Sequence, residues 1–93
     1  MIKSFKSKDA EKIYQGRYVK RIPPEITRLA ARKLELLDAA SELKSLRIPP
    51  SNCLEKLKGD RAGQYSIRIN DQWRICFVWK TGDAHDVEIV DYH

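Results

Sequence analysis

YSIRINDQWRICFVW, at residues 65–79, is the stretch that decides the fold class. Large apolar residues stand at every second position on both sides of the polar tripeptide at residues 70–72. Strict alternation is typical of strands that bury one face, and a short loop containing Asn or Asp is typical of a hairpin. The stretch therefore predicts two antiparallel strands whose shared apolar face is formed by Tyr65, Ile67, Ile69, Trp73, Ile75 and Phe77.

The shared apolar face also predicts the register of this hairpin. Ile69 should pair with Trp73, so Arg68 should lie opposite Arg74 on the other face. Like charges directly opposite each other destabilise a sheet. Either the two arginines reach solvent or carboxylates such as Glu88, or they hold an anion between them, for which the planar guanidinium is well suited.

Upstream of the hairpin, Pro23 and Pro24 introduce the longest amphipathic stretch of the chain. Pro24 suits the first turn of a helix, and the apolar residues that follow fall on about half of a helical wheel. Lys33 lies inside that apolar arc, so we expect it to extend towards solvent or to meet a partner. The predicted buried residues are Ile26, Leu29, Ala30, Leu34, Leu36, Leu37, Ala40 and Leu43.

The remaining elements are shorter. We expect an edge strand at residues 2–6, a helix from Ser7 or Asp9 to about Gln15, and a helical turn at residues 40–46. A short strand should contain Lys56 and Lys58, a turn should span residues 59–63, and a last strand should follow the turn at residues 81–83. Together these predict one α+β domain over residues 1–93, with N-terminal helices packed on a small antiparallel sheet.

Charge and cysteine content narrow the class of function. The net charge is +5 and the pI about 9.4, and residues 1–47 hold 12 Lys/Arg against 6 Asp/Glu. Such a balance favours a polyanionic partner, nucleic acid first. Cys53 and Cys76 match no zinc or redox spacing and predict free thiols in a reducing cytoplasm. No apolar run is long enough to predict a membrane span, and the charged N-terminus is not followed by the apolar stretch of a signal peptide.

The chain ends in Asp91-Tyr92-His93, directly after the last predicted strand. Cleavage of RNA by its own 2′-hydroxyl needs a base, an acid and cations at the phosphate, and needs no metal. Histidine is the side chain whose ordinary pKa lies nearest neutrality. The three residues are therefore candidates for proton transfer and base stacking, and the alternative is a frayed polar terminus.

Several motifs taken together resemble the HigB family of toxins, within the RelE/ParE superfamily of toxin–antitoxin modules. They are the stretch at residues 54–63 with Leu57-Lys58-Gly59-Asp60-Arg61, the stretch Asn70-Asp71-Gln72-Trp73-Arg74-Ile75-Cys76-Phe77, and the terminal Asp91-Tyr92-His93. The resemblance covers nearly the whole chain. It implies a microbial-ribonuclease-like fold, cleavage of mRNA in the ribosomal A site, and neutralisation by a cognate antitoxin, expected to be a helix-turn-helix protein of the HigA type.

The resemblance also implies site residues. Matching positions give a catalytic set of Lys58, Arg74, Asp91, Tyr92 and His93, and we add Arg68, Lys56 and Arg61 as RNA-binding residues. No metal or cofactor is expected. Glu55 stands where some relatives have a histidine, which puts in doubt any mechanism that requires that histidine. The rival hypothesis is a ParE-like toxin that poisons a topoisomerase through a protein interface.

Overall fold

Two helices cover one face of a four-stranded antiparallel sheet in the computed structural model, which describes residues 1–91. The helices are α1, Lys8–Tyr14, and α2, Pro24–Ala39. The strands are β1, Glu55–Lys56; β2, Tyr65–Arg68; β3, Trp73–Lys80; and β4, Asp83–Asp91, in the spatial order β1-β2-β3-β4. The predicted fold class is therefore confirmed.

Local signals in the sequence explain where the helices begin. Ser7 precedes α1, and its hydroxyl accepts a 3.2 Å hydrogen bond from the backbone N–H of Ala10. Pro24 occupies the first turn of α2, where its missing N–H leaves no hydrogen bond unmade. Within α2 the predicted apolar arc is largely buried, although Leu29 stays 39% exposed. None of the helices in residues 1–91 is long and apolar enough to cross a membrane.

The β2–β3 hairpin has the predicted register. Ile67 pairs with Ile75 and Arg68 with Arg74, and the backbone N–H of Ile69 donates to the carbonyl of Trp73 at 2.9 Å. Cross-strand partners share a face of the sheet. The row Ile67, Ile75 and Ile89 consequently lies under the helices, where each side chain is almost fully buried and stabilises the fold by about 1.5–3 kcal/mol.

Two predicted strands are shorter than expected. The segment at residues 2–6 forms only two parallel bridges to β4, Ile2 with Ala84 and Phe5 with Val87. β1 comprises Glu55 and Lys56 alone, because Lys58 already precedes the 3₁₀ turn Gly59–Arg61. Two further 3₁₀ turns, Leu43–Arg47 and Pro50–Asn52, lead from α2 to β1.

Candidate active site

The sheet face opposite the helices holds two rows of mostly polar side chains, and we call it the open face. One row crosses all four strands: Glu55 pairs with Ser66, Ser66 with Cys76, and Cys76 with Glu88. The neighbouring row is Arg68, Arg74 and Val90. Strand register alone thus gathers charged and polar side chains from distant parts of the sequence.

Arg74 is the most firmly oriented cation of the open face. Its Nε donates a 2.8 Å hydrogen bond to Oγ of the buried Ser66, and its Nη2 donates a 2.6 Å hydrogen bond to the carbonyl of Cys53. Two acceptors on different nitrogen atoms of the guanidinium fix both its position and its plane. A fixed guanidinium suits recognition of a phosphate.

The Cys53 carbonyl is itself held in place by an irregular backbone segment. Cys53 adopts a left-handed conformation with φ of 46°, which is strained for a residue other than glycine. Its neighbour Asn52 is fully buried and donates to the carbonyls of Leu46 at 3.1 Å and Ile48 at 3.3 Å. The segment that orients Arg74 is therefore anchored in the core.

Lys33 of α2 completes that anchor, because its Nζ donates to Oδ1 of Asn52. Burial lowers the pKa of Lys33 from its ordinary value. The expectation that this lysine meets a partner is confirmed, and the partner is an amide. A neutral amide, rather than a carboxylate, is therefore the partner of the lysine inside the apolar arc of α2.

A second cationic group lies beside Glu88. Nη1 of Arg61 donates to Oε2 of Glu88 at 3.0 Å and to Oε1 of Gln64 at 3.1 Å. Nζ of Lys6 lies 3.5 Å from the same Glu88 oxygen. One carboxylate of β4 therefore joins the loop before β2 to the N-terminal segment.

The two arginines that face each other across the hairpin have different partners. Arg68 forms an ion pair with Asp71 of the hairpin loop, and Arg74 contacts Ser66 and Cys53. The loop is stabilised by Asn70, whose Oδ1 accepts from the backbone N–H groups of Gln72 at 2.9 Å and Trp73 at 2.7 Å. The expectation that these arginines reach carboxylates is confirmed for Arg68, whose partner is Asp71; Glu88, the example expected from the sequence, pairs with Arg61 instead.

The structure brings some predicted site residues together and separates others. Arg68, Arg74 and Arg61 belong to the open face or its rim. Lys58 is exposed at the start of the 3₁₀ turn that contains Arg61. Tyr92 and His93 lie outside the described residues.

The side chains of Lys56 and Asp91 belong to the face of the sheet that the helices cover, not to the open face. Lys56 pairs with Tyr65, itself paired with the buried Phe77, and lines a groove of about 440 Å³ with Lys44 and Arg47. Lys56 therefore lies on the opposite face of the sheet from Arg68 and Arg74, and its role in RNA binding stays a prediction.

Asp91 pairs with Trp73, and its Oδ2 accepts a 3.1 Å hydrogen bond from Nε2 of Gln72. Val90 pairs with Arg74 and therefore shares its face. Asp91 is the next residue and the last of β4, so its side chain leaves the strand on the opposite face.

Cys76 lies at the centre of the open face and is fully buried. Burial is the main cause that raises the pKa of its thiol, and Glu88 raises it further, while Arg61, Arg74 and Lys6 act in the opposite direction. The thiol therefore stays protonated at neutral pH and packs as a small apolar group. Cys53 and Cys76 are both free, as expected.

Residue chemistry alone missed four contributors to the site: Ser66, the carbonyl of Cys53, Lys6, and Glu88 as the partner of Arg61. Ser66 and Glu88 could have been found from the strand register, which puts both on the face of Arg74. No sequence signal points to the Cys53 carbonyl, because every residue has a backbone carbonyl. Residues 1–91 contain no group of three or more His, Cys, Asp or Glu side chains arranged to hold a metal ion.

Solved structures support the fold. The chain is similar to a YoeB–YefM complex from Staphylococcus aureus, with a TM-score of 0.58, 19% identity, and coverage of 100% of this chain and 98% of that one. A heterotetrameric YoeB–YefM toxin–antitoxin complex from the same organism gives a TM-score of 0.55 at 21% identity, with the same coverage. At these identities the likeness concerns the fold alone.

Two relatives found by sequence share more identity with this chain than those solved structures do. Toxin HigB-1 of Vibrio cholerae serotype O1 is 45% identical over 85 residues, which cover 90% of each chain. Endoribonuclease HigB of Proteus vulgaris is 34% identical over 93 residues, which cover the whole of both chains. The names of these relatives support the predicted toxin and endoribonuclease classes and do not favour the topoisomerase alternative.

The family model that matches residues 3–93 describes a RelE-like toxin of the type II toxin–antitoxin system HigB. The match agrees with the motifs at residues 54–63 and 70–77, with the two-helix, four-strand fold, and with both HigB relatives. The chain therefore belongs to the HigB-like family of RelE-like toxins.

Proposed function

We propose that this toxin is an endoribonuclease that cuts mRNA on the ribosome by acid–base chemistry and so inhibits translation. The observation that carries the proposal is the orientation of Arg74 by Ser66 and the Cys53 carbonyl on the open face, with Arg61 nearby. Family membership and the endoribonuclease name of the Proteus vulgaris relative support the class of reaction.

The proposed chemistry uses the RNA's own 2′-hydroxyl as the nucleophile. A base removes the hydroxyl proton, the oxygen attacks the adjacent phosphorus, and an acid protonates the departing 5′-oxygen, so protons and bonds balance without a metal. Arg74 would contact the phosphate oxygens as negative charge builds up on them, and Lys58 would add a further positive charge. Arg68 is a weaker candidate for phosphate contact because its one-to-one ion pair with Asp71 leaves no net positive charge.

The proton-transfer roles fall to the end of the chain. We assign His93 or Asp91 as base or acid, and Tyr92 to stack on a nucleotide. Asp91 lies exposed at the end of β4 beside Gln72, at the boundary between the two faces. Glu55 lies on the open face opposite Ser66 and is an anion in place of the histidine of some relatives, which leaves the terminal residues as the principal proton donors and acceptors.

An antitoxin partner follows from the family, whose members are toxins of type II systems. We propose that the partner is a helix-turn-helix protein of the HigA type and that toxin, antitoxin and ribosome meet in the cytoplasm. The basic N-terminal half supplies more positive charge than one active site uses, and part of it would contact ribosomal RNA or an acidic surface of the antitoxin.

The test is an in vitro translation reaction that receives the purified toxin. Primer extension on the mRNA should show discrete cuts that require ribosomes and that persist in chelator-treated toxin. Arg74→Ala and His93→Ala should abolish most cutting at unchanged folding. Full cutting by both variants would refute the site assignment, and trapped DNA breaks with gyrase in place of mRNA cuts would refute the proposed function.

A further inference from the structure

Lys6, Arg61 and Glu88 form a three-residue cluster at the rim of the open face. The two cations meet a single carboxylate oxygen, at 3.5 Å from Nζ of Lys6 and 3.0 Å from Nη1 of Arg61. The Glu88 side chain is only 15% exposed, whereas Lys6 is 57% and Arg61 31% exposed. The carboxylate is thus covered, and the cations form the surface.

Charge distinguishes this cluster from an ordinary surface ion pair. One anion with two cations leaves a net positive charge, and the covered position of Glu88 turns that charge outward. A covered carboxylate needs a cationic partner, but one cation is enough to neutralise it, so the second cation exceeds what the ion pair requires. A carboxylate below two cations does keep them at one point, which lowers the entropic cost of binding an anion there.

The position of the cluster relative to Arg74 suggests the ligand. Glu88 pairs with Cys76, and Arg74 is two residues from Cys76 along β3. Glu88 is therefore the diagonal cross-strand neighbour of Arg74, at about 7–8 Å, a distance comparable to the separation of consecutive phosphates in an extended RNA strand. Arg61, Arg74 and Lys6 each act to lower the pKa of the Cys76 thiol, so all three cations lie near one region of the face.

We propose that Lys6 and Arg61, held together by Glu88, bind the RNA phosphate next to the one contacted by Arg74. The inference rests on the proposed function, since it assumes that the RNA strand crosses the open face. It adds a second phosphate subsite, which positions the strand so that the scissile phosphate reaches Arg74. Lys6 is then an RNA-binding residue of a segment that is distant in sequence from all other proposed site residues.

The first experiment compares Lys6→Gln with the control Lys3→Gln. Both variants lose one positive charge from the same exposed segment, but Lys3 lies beside Ala84, four residues of β4 away from Glu88. Single-turnover cleavage of mRNA on programmed ribosomes is measured against toxin concentration. Lys6→Gln should raise the half-saturating concentration about threefold to tenfold with a maximal rate within twofold of wild type, and Lys3→Gln should change neither.

A second measurement locates the phosphate. Synthetic mRNAs carry one uncharged methylphosphonate linkage, moved in turn through the positions around the cleavage site. The penalty of Lys6→Gln should vanish for one RNA only, the one neutralised next to the scissile phosphate. Equal behaviour of the Lys6 and Lys3 variants, or the same Lys6 penalty on every RNA, would overturn the subsite.

A cleavage-independent measurement separates this inference from the proposed function. Binding of a short fluorescein-labelled single-stranded RNA is followed against salt concentration, and Lys6→Gln should reduce the salt slope by about 0.7. If the wild-type toxin cuts no mRNA, the proposed function fails, and the salt slope still decides whether Lys6 binds a phosphate.

Discussion

Ser66 Oγ accepts a 2.8 Å hydrogen bond from Nε of Arg74, and the two residues lie on adjacent strands of the open face. Ser66 is fully buried, so water does not compete for this bond. The Cys53 carbonyl accepts a hydrogen bond from a second nitrogen, Nη2, of the same guanidinium. A serine in the middle of a β-strand, a position usually taken by a branched or aromatic residue, thus has a specific role in orienting a cation.

Removal of that hydroxyl should therefore lower activity without unfolding the toxin. We expect Ser66→Ala to reduce the maximal cleavage rate about tenfold, because a charge-assisted hydrogen bond of about 1.4 kcal/mol no longer orients Arg74. The control is Ser45→Ala at an exposed serine. An unchanged rate for Ser66→Ala at normal stability would show that Arg74 needs no such orientation.

Arginine at position 74 should not be replaceable by lysine. A lysine ammonium cannot occupy both the Ser66 and the Cys53 acceptors in one geometry, so Arg74→Lys and Arg74→Ala should each lose about 10²-fold in cleavage rate. Arg68→Ala should lose much less, since Asp71 already pairs with Arg68. The three variants are compared in the single-turnover assay, and a lysine variant close to wild type would contradict the bidentate geometry.

The left-handed backbone at Cys53 predicts an order of stability among substitutions. Asparagine tolerates φ of 46° better than cysteine does, and a β-branched residue tolerates it worst. We expect Cys53→Asn to match or exceed wild type by up to about 1 kcal/mol, and Cys53→Val to lose about 1–3 kcal/mol. Urea unfolding measures both, with Ser51→Val as the control, and equal stability of the Asn and Val variants would exclude the strain.

Asp38 should make the stability of the toxin depend on pH in the acid range. The backbone N–H of Ile2 donates to Oδ1 of Asp38 at 2.8 Å, and this bond is the largest cause holding the pKa of Asp38 below 3.8. A depressed carboxyl pKa contributes stability above the unfolded value of about 3.8 and loses it as pH falls through the folded value.

The variant Asp38→Asn tests this. At pH 7 it should be less stable than wild type by about 1 kcal/mol, because the amide accepts the Ile2 hydrogen bond more weakly. The difference should shrink as pH is lowered past 3.8. Urea unfolding at several pH values gives the difference directly, and a gap that stays constant down to the acid transition would rule out this role of Asp38.

The hairpin was predictable because period-two alternation and the polar loop at residues 70–72 give one register, and that register alone places Arg68 opposite Arg74. The face of Lys56 was not predictable, since Leu54 and Leu57 are three residues apart and fit no alternation. Contacts between Arg61 and Glu88 depend on how a loop returns to the sheet. The acceptor on Cys53 depends on backbone conformation, which residue chemistry does not reveal.

The pairing of the N-terminal segment with β4 has a consequence for synthesis. The backbone of residues 1–6 exchanges hydrogen bonds with Ala84 and Val87, so these contacts join the earliest and latest translated parts of the domain. Contacts of such long sequence separation carry a large loop-closure entropy, which slows folding. The segment that holds Lys6 next to Glu88 therefore has no docking partner until β4 has been synthesised, so the cationic cluster forms only after the sheet is complete.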